Sequence, residues 1–145
     1  MSETVHAPIS IPVPVDPNAD RPVGPALLKG WRRKCPACGE ASLFDGYLAV
    51  HHECPNCSEA LHHQRADDGP AWATLVVTGH LLAPLMLLMW DLWQPSPIVM
   101  ASTLSVFLVA VSLFLLPRFK GAFIGLQWSR RMHGFGAEAD APTHQ

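Results

Sequence analysis

Two long apolar runs dominate the pattern of the chain. Residues 71–90, AWATLVVTGHLLAPLMLLMW, and residues 98–116, IVMASTLSVFLVAVSLFLL, contain no Asp, Glu, Lys or Arg. Each comes close to the roughly 20 residues that an α-helix needs to cross a hydrocarbon layer of about 30 Å. The linker between them, DLWQPSP, is too short for a domain. The pattern therefore predicts a transmembrane hairpin over residues 69–117, with Trp90 and Trp93 at its interfacial end. As core helices of a soluble protein these runs would need a cover that the rest of the chain does not supply.

The flanks read differently. Residues 1–25 carry Pro8, Pro12, Pro14, Pro17, Pro22 and Pro25, and spaced prolines remove backbone donors and block helix. A disordered, proline-rich tail is expected there. A basic stretch, KGWRRK, follows at residues 29–34 and reads as the solvated flank of a membrane protein. Residues 26–68 form a small module in which Asp45-Gly46 sits between apolar residues, a hairpin-turn signal. Beyond Pro117, Phe119, Ala122, Phe123 and Leu126 share one side of a helical wheel, with Lys120, Gln127 and Arg131 about a quarter-turn away. This predicts an amphipathic helix over residues 118–135, lying at the membrane interface, and a flexible tail over 136–145.

Composition supports the membrane reading. Of the 145 residues 49% are hydrophobic and 15% charged, and the formal net charge is −2. No basic stripe with interleaved aromatics appears, so a nucleic-acid partner is not expected. Arg32, Arg33, Lys34 and Arg65 precede the first span, Arg118, Lys120, Arg130 and Arg131 follow the second, and the linker has none. The positive-inside rule then places both termini in the cytoplasm.

The strongest chemical signal is C-x2-C, fifteen residues, C-x2-C, from Cys35, Cys38, Cys54 and Cys57. The two halves, CPACGEA and CPNCSEA, agree at five of seven positions. Each half is a knuckle that presents two thiolates to one ion, and two knuckles complete a tetrahedron. No basic region followed by an apolar stretch opens the chain, which favours reduced thiols over two disulfides. Covalent haem attachment would need a histidine after the second cysteine of a pair, but Gly39 and Ser58 stand there. Structural Zn2+ is the expected ion; Cu(I) and an iron–sulfur cluster use the same donors. The result is a zinc-ribbon outline in a module too small to hold itself together by apolar burial.

Other residues invite weaker readings. The doublets His51–His52 and His62–His63 are auxiliary ligands or solvent-exposed neighbours of the knuckles. Asp67 and Asp68 precede a helix starting near Pro70, where carboxylates suit the positive end of the dipole; with His63 they also outline a carboxylate–histidine site. His80 falls near the middle of the first span, where an ionisable side chain is costly and is expected to face the bundle interior, bonded to Ser102, Ser105 or Ser112. Pro84 withholds the amide that would bond the carbonyl of His80. His80 is thus a candidate cofactor ligand, although neither span holds another histidine.

The stretches CPACGEASLFDGYL, CPNC, HHQRADDGPAW, GHLLAPL and LLPRFKGAFIGLQWSRRMHGF resemble the bacterial membrane proteins grouped as the domain-of-unknown-function 983 family, over residues 26–135. The resemblance implies a short inner-membrane protein with a cytoplasmic zinc-ribbon-like head, two spans and no established activity. Through the occurrence of family members beside haem–copper oxidase subunits and assembly factors, it also implies a role in biogenesis of cytochrome c oxidase. With no nucleophile–base pair in sight, the expected function is a non-enzymatic accessory or assembly protein that meets the lipid bilayer and a membrane-protein partner. The alternative is a carrier of copper, zinc or a cofactor, to which Met86 and Met89 would add soft sulfur. Membrane enzymology through His63, Asp67, Asp68 and His80 is a third, more distant reading.

Overall fold

The computed structural model describes residues 20–66 and 68–135. The expected tails at residues 1–19 and 136–145, and Asp67, lie outside them. Three helices carry the fold: α1 (Val23–Trp31), α2 (Gly69–Trp93) and α3 (Pro97–Ser129), with a short 3-10 turn at Met132–Gly134. The cysteine module lies between α1 and α2.

Helix α1 occupies residues that were expected to end the extended tail. Its prolines do not block it because they sit where a helix needs no amide: Pro22 is the N-cap and Pro25 lies in the first turn. The first helical bond runs from the Ala26 amide to the Pro22 carbonyl, 3.3 Å. Helix α2 begins as expected, with Pro70 in its first turn. Its buried threonines satisfy their hydroxyls internally, Thr74 on the Pro70 carbonyl at 2.7 Å and Thr78 on the Thr74 carbonyl at 2.6 Å. That leaves their methyl faces free for packing.

Helix α3 departs most from expectation. It was expected to stop near Pro117 and give way to a separate interfacial helix, yet it runs unbroken through Pro117 to Ser129. Pro117 has no N–H for the carbonyl four residues back, which is that of Leu113. The Tyr47 hydroxyl, from the cysteine module, donates to that carbonyl at 2.6 Å. The residues expected to lie on the membrane surface instead continue the helix and are largely covered: Gly121, Ile124, Gly125, Gln127 and Trp128 are all buried.

What covers them is α1 and the module. Helices α1 and α3 run antiparallel and touch backbone to backbone, Gly30 against Gly121 and Ala26 against Gly125. A Cβ on any of these three glycines would overlap a main-chain carbonyl of the facing helix. This is the small-xxx-small arrangement that brings helices within direct backbone contact. At its end Trp31 and Phe119 meet edge to face, centroids 5.2 Å apart. Helix α2 packs along α3, with Gly69 so close to the Phe123 ring that a side chain there would collide with it. The small residues Ala101 and Ser105 of α3 take no part in the close seam; both are exposed.

The apolar parts of α2 and α3 are long enough to cross a membrane, and only 11% and 6% of their most apolar stretches are buried within the chain. A core helix pair would be covered; these face outward.

The seam can be tested. Gly121→Val should destabilise the detergent-solubilised chain by about 3 kcal/mol, because neither backbone can yield. Gly24→Ala, which meets no atom within 4 Å, should be neutral or gain about 0.5 kcal/mol. Thermal unfolding followed by tryptophan fluorescence reads both.

Candidate metal centre

The two knuckles fold alike because their sequences repeat. In each, the first cysteine's carbonyl accepts from the amide four residues on, Gly39 to Cys35 at 2.8 Å and Ser58 to Cys54 at 2.9 Å. In each, the chain then reverses and closes on an antiparallel bridge, Lys34 with Ser42 and Glu53 with Ala60. The reversal needs a left-handed residue just after the second cysteine; Gly39 (φ 78°) and Ser58 (φ 59°) supply it. Glycine takes that conformation freely, whereas serine is strained in it.

Between the knuckles, Phe44 bridges Val50 and the Asp45 amide reaches the Ala49 carbonyl at 2.8 Å, so the expected turn forms. A regular strand ladder does not: the pairings here are isolated bridges, and the head is a ribbon only in outline.

The four sulfurs converge. Cys35 Sγ lies 3.8 Å from Cys57 Sγ, Cys38 Sγ lies 3.8 Å from Cys54 Sγ, and all four fall within 4.8 Å of one another. These are not disulfide distances, which are near 2.05 Å. An ion held by thiolates at about 2.3 Å in a tetrahedron would set sulfur–sulfur edges at about 3.8 Å. The donor set and spacing therefore fit one thiophilic ion. Cys35 and Cys54 are buried, while Cys38 and Cys57 are half-buried.

Electrostatics in the metal-free cluster are uneven. Burial pushes the Cys35 thiol well up, and the amides of Cys38 and Ala37 offset only part of this. Burial likewise raises Cys57, to about 11 against the help of the Glu59 amide. Burial acts the same way on Cys38, but the amides of Ala41 and Glu40 and the Asn56 side chain outweigh it and bring that thiol down to about 6. The Cys38 thiolate thus waits at neutral pH, and Cys35 and Cys57 would ionise as an ion binds.

Support for the knuckles comes from α1 and α3. Lys29, on α1, donates its ammonium to the carbonyls of Pro36 and Ala37, at 3.3 and 2.9 Å. This clamps the first knuckle and sets a cation near a site that four thiolates make anionic. On α3, Lys120 donates to the Leu48 carbonyl at 2.8 Å and Trp128 Nε1 to Glu59 at 2.8 Å. The Gln127 amide acts as a strand partner, accepting from the Arg65 amide at 2.9 Å and donating to its carbonyl at 2.7 Å. Arg21 lies over the Trp128 ring, 4.6 Å from its centre. Leu43, Phe44, Leu61, Ile124, Trp128 and Phe135 join Cys35 and Cys54 in one apolar cluster. Lys29, Gln127 and Trp128 drew no functional reading from the sequence; the two small-xxx-small pairs were the signal that α1 and α3 meet.

The remaining candidates separate. Among the described residues, the four cysteines are the only group of three or more His, Cys, Asp or Glu side chains with ligand atoms close enough for an ion. His52, His62 and His63 stack on one another instead, at 6.4 and 4.1 Å, and His63 meets Phe135 at 5.9 Å. Asp68 occupies the N-cap of α2, exposed and without a side-chain capping bond. Asp67, the middle member of the expected carboxylate–histidine site with His63 and Asp68, lies outside the described residues. His80, expected to face the bundle interior and bond a serine of the second span, is exposed and turned outward. Its Nδ1 donates to the Val76 carbonyl of its own helix at 2.8 Å, because the imidazole satisfies itself more readily one turn back than across to α3.

Two measurements probe the site. Ser58→Gly should raise the stability of the head by about 1 kcal/mol by relieving the left-handed strain, read as a higher unfolding temperature of the metallated chain. In the metal-stripped folded chain, Cys38 should be alkylated first by iodoacetamide, with a rate midpoint near pH 6, and metal should protect it. The thiolate form of Cys38 stabilises that metal-free fold above the unfolded pKa near 9, and this contribution is lost as pH falls through about 6.

No curated protein and no solved structure matches this chain. One family model does, described as "Protein of unknown function (DUF983)", over residues 44–128, more than half of the chain. The match takes in the second knuckle, both apolar helices and the α3 surfaces that grip the head, and begins after Cys35 and Cys38. On that match the chain belongs to the domain-of-unknown-function 983 family.

Proposed function

We propose that this chain is a non-catalytic accessory protein of the bacterial inner membrane, whose zinc-bearing head docks onto a larger membrane complex during assembly. The observation that carries the reading is that the head is built onto the prolongation of α3 through Lys120, Gln127 and Trp128. A head gripped in this way holds a fixed position above the hairpin, as a docking surface must. Four thiolates saturate a tetrahedral ion and leave no position for a substrate, which suits a structural centre. The outward-facing apolar helices suit packing in lipid and against a membrane partner. The positive flanks put the head and both termini in the cytoplasm. Subunits or assembly factors of a haem–copper oxidase are the first partners to test, on the strength of the resemblance in the sequence.

A second reading has one observation in its favour. Cys38 and Cys57 are half-exposed, so one edge of the cluster is open to an incoming thiolate. A metal carrier, for copper or zinc, needs such an edge.

Crosslinked co-purification from native membranes, with metal analysis of the same sample, tests both readings. The accessory protein should carry one zinc per chain, keep it through a mild chelator challenge and recover oxidase components. Its deletion should lower assembled oxidase without changing transcription. Unchanged oxidase content would remove the proposed partner, and ready release of copper or zinc would favour the carrier.

A further inference from the structure

Where α1 runs into the first knuckle, a recess of about 180 Å³ is lined by Arg32, Arg33, Lys34, Ser42, Phe44 and Gly46. Three consecutive cations thus share its wall with a hydroxyl, and the one acid next to the lining in sequence is Asp45. Lys34 is anchored through its ammonium on the Glu40 carbonyl at 2.7 Å. Among the described residues, neither the Arg32 nor the Arg33 guanidinium has a hydrogen-bond or ion-pair partner. Arg33 is also held left-handed (φ 61°), where glycine would fit with less strain, by its amide on the Gly30 carbonyl and its carbonyl on the Leu43 amide.

The height of this recess along α3 identifies its ligand. Gly46 in its lining is followed by Tyr47 and Leu48, which are bonded to Leu113 and Lys120 of α3. The apolar run of α3 ends between those two residues, at Leu116. At the same level Arg118 folds back over the Phe114 ring, 3.6 Å from its centre. The recess therefore opens where hydrocarbon gives way to headgroups, provided that α2 and α3 span the bilayer. Basic recesses at that level suit phosphate-bearing lipids, and guanidinium groups pair with phosphate in bidentate fashion. We propose that the Arg32–Arg33–Lys34 recess binds the phosphodiester headgroup of an anionic phospholipid.

The zinc-loaded full chain in a neutral detergent, titrated with phosphatidylglycerol or phosphatidylcholine and followed by native mass spectrometry, tests the proposal. Phosphatidylglycerol should bind about tenfold more tightly than phosphatidylcholine. The paired change Arg32→Gln with Arg33→Gln should abolish that preference. Arg32→Lys with Arg33→Lys should reduce it to about threefold, because lysine keeps the charge and loses the bidentate fork, which separates lost charge from lost fold. Arg65→Gln with Arg130→Gln should leave it unchanged. No preference in the unaltered chain, an equal loss in the Arg65 and Arg130 pair or in the lysine pair, or displacement of phosphatidylglycerol by inorganic phosphate would each overturn the proposal. Carbonate extraction of native membranes reports separately whether the chain is integral, so failure of the membrane reading is not mistaken for failure of the lipid site.

Discussion

A helix of 33 residues is about 50 Å long, roughly 20 Å more than a hydrocarbon layer accommodates. The surplus turns of α3 still carry apolar side chains, and these must be buried against something. They are buried against the two pieces of chain that precede the first span. Helix α1 lies along one side, close enough that backbones touch at Gly30 and Gly121. The cysteine module takes up Ile124 and Trp128 into its own cluster. The spans and the head are therefore not separate modules on a tether, because one helix is part of both.

That sharing changes what the metal has to do. A head of this size has too little apolar area to fold alone, and a structural zinc site contributes on the order of 10 kcal/mol at neutral pH. Here the ion would be helped by borrowed core: Cys35 and Cys54 are packed among Leu43, Leu61 and α3 residues. The loops that carry the cysteines are also held by α3, through Lys120 on Leu48 and Gln127 on Arg65. The α1–α3 seam places Lys29 where it clamps the first knuckle. The cysteine cluster and the helix packing thus support each other through the same few contacts.

Proline could have broken this arrangement at Pro117. A carbonyl stripped of its donor near hydrocarbon is costly, and the usual remedy is to end the helix. Tyr47 provides another by reaching from the head to the Leu113 carbonyl. The same bond that keeps α3 continuous therefore pins the turn between the knuckles to the end of the apolar run of α3. Below that level the hairpin makes few demands on its neighbours, since Thr74, Thr78 and His80 all bond within their own helix. Its outer faces are left uncovered by the rest of the described chain.

Local chemistry determined what the sequence by itself could show. The cysteine spacing, the repeated knuckle, the turn at Asp45-Gly46 and the two long apolar helices depend on residues near one another in the chain, so they were legible without a fold. The convergence of Cys35, Cys38, Cys54 and Cys57 followed from the same spacing. Tertiary structure decided the rest. Pro22 and Pro25 suggested an extended tail but cap a helix, because only the partner helix shows that residues 23–31 have something to pack on. Phe119, Ala122, Phe123 and Leu126 suggested an interfacial helix, because a wheel records which face is apolar and not what covers it. His80 was expected to face inward on cost alone, but a bond to its own helix satisfied it more cheaply. Where a side chain's partner lies more than 60 residues away, as for Gln127 with Arg65 or Tyr47 with Leu113, no local pattern encodes the pairing and the packing of α3 selects it.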